Sequence, residues 1–181
     1  MTSPAANLFL ALRTLIANLA DGQGNPYFRY VDQDLGQLEM ERPPVLWPCV
    51  LIDIDEMSFR NMADAAQLGT VKVVLRLGFP PYSGTSASTP DAYAQMAIAY
   101  YDLEQVLFLA LHNQPIPGLA DIFGSPVRTS SATERRRDLL RVRQLTFSIG
   151  LDVYSATVSQ DTASATKVVY VSFYPPDIFG S

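Results

Sequence analysis

One cysteine, one histidine and one tryptophan stand among 181 residues, and that scarcity excludes several chemistries at once. A lone Cys49 makes no disulfide within the chain, a composition compatible with a reducing cytoplasm. His112 is the only imidazole and lies far from Cys49 in sequence, so a zinc site of the usual His/Cys kind has no ligand set. There is no Gly-x-Ser-x-Gly, no Walker motif and no Gly-x-Gly-x-x-Gly. The longest apolar runs fall far short of the roughly 20 residues of a membrane span. No cationic region precedes the first apolar residues, so a signal peptide is not expected.

What is present is globular. Apolar residues make up 48% of the chain and charged residues 17%, enough for a substantial core in one domain. The expected domain spans residues 1–181, with a short tail from about residue 175. The net charge is −5, unevenly spread. Arg128, Arg135, Arg136, Arg137, Arg141 and Arg143 against Glu134 and Asp138 leave +4 in residues 128–143 and −9 elsewhere. An acidic body lacks the broad basic face of a nucleic-acid gripper. It suits a path along which DNA slides without sticking.

Ser3-Pro4 reads as a helix start, and Leu8, Leu12, Leu15, Ile16 and Leu19 recur at helical spacing up to the turn 21–26. A short strand is expected over Tyr27–Asp32. Next come a polar turn at Gly36 and the stiff segment Arg42-Pro43-Pro44-Val45-Leu46-Trp47-Pro48, which delivers the apolar strand 49–56. Residues 57–68 fit neither period. Val71, Val73, Leu75, Leu77 and Phe79 share one face of a half-buried strand that Pro80-Pro81 stops. After the polar loop 82–88, Thr89-Pro90-Asp91 opens a second helix, with Tyr93, Met96, Ala97, Tyr100, Leu103, Leu107 and Leu111 as its stripe. A long loop leads to a strand carrying Leu145, Phe147, Ile149, Leu151 and Val153 on one face; a hairpin loop 155–165 and a last strand Lys167–Tyr174 follow. The order predicts an α+β fold: a mostly antiparallel β-sheet with two helices packed on one face.

Few residues suggest chemistry. His112, at a helix end, reads as structural, and Cys49 as a small buried residue. Asp53 and Asp55 sit at spacing two with Glu56 beside them. That pattern suits a divalent cation or, more simply, the charged solvent face of an edge strand. The arginine cluster reads as a solvated loop, a phosphate contact, or a salt-bridging surface for the acidic body of a neighbouring copy. Asp121-Ile122-Phe123-Gly124-Ser125 recurs as Asp177-Ile178-Phe179-Gly180-Ser181. Either two similar turns coincide, or both copies insert Ile-Phe into equivalent pockets on neighbouring subunits.

The layout resembles the tail-terminator and tail-completion proteins of tailed bacteriophages and contractile injection particles. The resemblance is carried by the N-terminal helix, the turn Leu35-Gly36-Gln37-Leu38, the Arg42–Ile52 segment, the strand Val71–Phe79 and the helix after Thr89-Pro90. It implies a structural, non-enzymatic virion protein without a cofactor, assembled in the bacterial host cytoplasm. Such a chain forms a hexameric ring that caps the tail tube and meets neck or head connector proteins, the tube itself and the sheath. DNA passes through its lumen without specific binding, and no membrane is involved. A head-closure or connector role is the alternative, and a metal-dependent enzyme on Asp53 and Asp55 the lesser one. Expected contacts to neighbours or the tube are Arg42, Pro43, Pro44, Trp47, Arg135, Arg136, Arg137, Ile178 and Phe179, with the loops 80–90 and 155–165.

Overall fold

The computed structural model describes residues 3–61, 66–79, 88, 90–137 and 140–154. The expected strand 167–174, the loop 155–165, Pro80-Pro81, most of the loop 82–88, and Ile178 and Phe179 lie outside the described residues.

Helix α1 spans Pro4–Ala17. The Ser3 hydroxyl accepts from the Ala6 N–H at 3.2 Å, and proline holds the first helical position. Its buried stripe is Leu8, Leu12 and Ile16. The strands are β1 (Tyr30–Gln33), β2 (Cys49–Asn61), β3 (Ala66–Phe79), β4 (Val127–Glu134) and β5 (Arg141–Tyr154). They form one sheet in the order β1-β2-β3-β5-β4, parallel between β1 and β2 and antiparallel elsewhere. Parallel neighbours need a long connection. Residues 34–48 supply it, so the proline-stiffened segment is the crossover from β1 to β2.

The segment 57–68, which had no clear period, lies largely in the β2–β3 hairpin: β2 runs to Asn61 and β3 begins at Ala66. A register shift between Ile54 and Glu56 reverses the phase of β2. Val50, Ile52 and Ile54 face the core before the shift, and Met57 does so after it. Such a bulge defeats any strict alternation.

The second helix is two pieces, α2 (Asp91–Ile98) and α3 (Tyr100–Leu111), separated at Ala99. The Arg141 guanidinium donates to the Ala97 carbonyl just before the break. The fourth strand, β4, falls in what composition reads as a long loop. Val-Arg-Thr-Ser-Ser-Ala-Thr-Glu carries no apolar alternation because most of this strand, at one end of the described sheet, is exposed.

One face of the sheet holds the main core. Leu8, Leu12 and Ile16 of α1 and Leu107 and Leu111 of α3 meet Val50, Ile52, Val71, Val73, Leu75, Leu77, Leu145, Phe147 and Ile149. Both helices therefore pack on this one face of an α+β fold. The other face carries a smaller cluster of Leu38, Cys49, Leu51 and Val142, with Val45 and Trp47 packed on it. The crossover thus closes the second face. Gly78 makes that fit possible: a Cβ there would lie 2.7 Å from both Cys49 Sγ and a ring carbon of Trp47.

Candidate assembly surface

Two polar clusters fix the surfaces that face outward. On the crossover side, Arg76 of β3 reaches three carboxylates. It donates to Asp34 at 3.1 Å, to Glu39 at 2.6 Å, and to Glu134 at 3.1 and 2.8 Å. Arg136 joins through Glu134 at 2.7 Å and donates to the Leu38 carbonyl. The Arg76 side chain is 13% exposed and that of Asp34 11%. Near-burial of this kind favours paired ions over single ones. The Arg76 hydrogen bond holds the Glu39 carboxyl below its ordinary range, despite partial burial. The cluster ties the start of the crossover to the end of β4, across the sheet.

On the helix side, Glu104 is buried in α3. It accepts from Arg143 Nε at 2.7 Å and Ser131 Oγ at 2.5 Å, while Arg128 Nη1 stands 3.9 Å away. Burial raises the Glu104 carboxyl, but the bonds from Arg143 and Ser131 outweigh it and the net direction is downward. Arg128 lies over the Phe108 ring at 4.0 Å, and its backbone N–H donates to His112 Nδ1. His112 stacks on Phe108 at 4.7 Å, so it serves the helix end.

The arginine-rich segment is therefore mostly internal wiring. Arg128, Arg136, Arg141 and Arg143 hold α3, the Ala97 carbonyl and the crossover, while Arg135 and Arg137 are exposed. Sequence reading missed both hubs. Glu104 had a signal, a charge in the middle of the stripe Tyr100, Leu103, Leu107 and Leu111. Arg76 had none, since an arginine on the polar face of a strand is ordinary.

Three of the nine exposed large apolar side chains among the described residues lie on the crossover; the others, Leu10, Phe59, Ile98, Tyr101, Leu109 and Val127, are spread over the helices and strands. Leu35, Met40 and Leu46 are 71%, 51% and 63% exposed. Arg42 and Pro44 are exposed and Pro43 is half-buried, whereas Trp47 spends much of its ring on the second-face cluster. A groove of about 530 Å³ opens beside β1, lined by Arg13, Ala17, Pro26, Phe28, Arg29, Val31 and Leu46. Asp55 pairs with Lys72 at 2.5 Å. Burial, then the charges of Asp55 and Asp34, push the Asp53 carboxyl upward. Among the described residues no three His, Cys, Asp or Glu side chains gather as metal ligands, and no helix is long and apolar enough to cross a membrane.

No protein-family model and no curated protein sequence matches the chain. A chain from the virion of a native gene transfer agent particle does match in structure. The TM-score is 0.50 at 13% identity, covering 83% of this chain and 100% of that one. At that identity the likeness is one of fold: this chain and that virion chain share an architecture.

Proposed function

We propose that this chain is a structural protein of a phage or phage-tail-like particle. It forms a ring that caps the tail tube and joins it to the neck or head. The observation that carries the reading is the fold shared with a gene transfer agent virion chain over that chain's full length. The surface fits the role. Exposed apolar side chains sit on a stiff crossover anchored by an ion cluster, as a contact surface requires. The strands β1 and β4 stand at the two ends of the described sheet, where strand edges serve to extend a sheet between subunits. Copies arranged head to tail around an axis close into a ring. The partners are further copies of the chain, the tail tube and sheath, and neck or head connector proteins. DNA crosses the lumen without base-specific contacts, and no catalytic step is assigned.

Negative-stain microscopy of the purified chain tests this. Six-fold rings that stack on tube ends support the proposal. Twelve-fold rings point instead to a connector, and an unassembled chain at high concentration rejects both.

A further inference from the structure

The groove beside β1 joins an apolar floor to two cations. Phe28, Val31 and Leu46 supply the floor, and Arg13 and Arg29 flank it. Neither arginine has a carboxylate within ion-pair distance among the described residues, in a chain whose net charge is −5. The natural occupant is therefore an acidic residue followed by large apolar ones.

The chain contains such a segment twice, and the first copy displays its mode of docking. In Asp121-Ile122-Phe123-Gly124-Ser125, Phe123 is buried in the main core and forms an antiparallel bridge with Leu151. The Gly124 N–H donates to the Gly150 carbonyl at 2.9 Å, and the Asp152 N–H to the Ile122 carbonyl at 3.0 Å. The pentapeptide thus adds to a strand edge and drives its phenylalanine into an apolar pocket. The second copy, residues 177–181, has the same sequence, and the groove offers the same two things: the rim of an end strand and an apolar floor.

The ring reading selects which copy of the chain supplies it. An adjacent subunit placed head to tail presents its groove directly. We propose that the groove between α1 and β1 receives the Asp177-Ile178-Phe179 segment of a neighbouring copy, with Phe179 on the apolar floor and Asp177 against Arg13 and Arg29. This deepens the ring reading and rests on it.

The test is a full-length chain carrying L46C and G180C, oxidised under mild conditions, with its assembly state followed in parallel by sedimentation. Burial pushes the Cys49 thiol up to about 11, which keeps it out of the exchange. The expected result is a ladder of disulfide-linked multimers. F179D in the same background should weaken cross-linking about tenfold or more. R13E/R29E mixed with D177R/F179D should give only one-to-one dimers, since one groove and one tail remain intact. A cross-link confined to monomers overturns the choice of a neighbouring copy. Assembled protein that does not cross-link overturns the groove but spares the ring. Wild-type protein that never assembles removes the ring reading itself.

Discussion

Replacing Arg76 with methionine removes one cation from a site where three carboxylates converge. Asp34, only 11% exposed, then keeps a single backbone partner, the Gly36 N–H at 3.0 Å. Glu134 keeps Arg136 at 2.7 Å. Glu39 is 52% exposed and rehydrates readily. The cost thus falls mainly on one poorly solvated carboxylate. Breaking a buried pair costs about 3–5 kcal/mol, and the residual exposure places this one near the lower bound. In a chain of this length about 3 kcal/mol lowers Tm by roughly 6–12 °C. Urea unfolding gives the free energy and differential scanning fluorimetry the Tm. E39Q serves as the control, at under about 1 kcal/mol. D34N with R76M should cost less than the two single changes added, by about 1–3 kcal/mol. The pH limb follows in sign. Glu39 is depressed in the fold, so its contribution is complete above its ordinary value and is lost as pH falls through the folded one. R76M should flatten that acid limb. A loss below about 1 kcal/mol, or strict additivity, would refute the view that this cluster clamps the crossover.

Three further outcomes are expected. G78A forces a methyl into Cys49 and Trp47, each 2.7 Å from its place; overpacking of this kind costs about 1–3 kcal/mol, and the single tryptophan should report it as a shift in emission. E104A removes the one carboxylate on Arg143, which is 13% exposed and keeps only the hydroxyls of Thr133 and Ser131 as hydrogen-bond partners, and should cost about 3 kcal/mol, whereas E104Q should spare more and remove the stability that wild type loses as pH falls below the ordinary glutamate range; an unchanged acid limb in E104Q denies Glu104 this role. D53N should raise stability at neutral pH, because a carboxyl raised in the fold favours its protonated form there and works against folding once ionised; a lower stability, or loss of any turnover, would revive a role for that carboxylate.

Much of the fold is legible where burial has one side. The stripe Leu8, Leu12 and Ile16 and the alternation of Val71 to Phe79 follow from a single apolar face and appear in the structure as written. Legibility fails where tertiary contacts replace that signal. β4 is polar on both faces, so only its β-branched Val127, Thr129 and Thr133 hint at a strand. The bulge near Asp55 scrambles the period of β2. The break at Ala99 lies beside a contact from Arg141, far along the chain, and carries no local signal. The proline-rich stretch was visible as a stiff segment, but its place as the crossover follows from β1 and β2 pairing in parallel. The groove is less legible still, because Arg13, Phe28, Val31 and Leu46 meet only through the fold.

The most direct measurement is the mass and symmetry of the purified full-length chain, by native mass spectrometry with electron microscopy of the same sample. A closed six-membered ring, lost on F179D while the fold persists by circular dichroism, is what a shape-based, self-associating particle protein must give. A chain that remains single at high concentration, with the same fold, would contradict it.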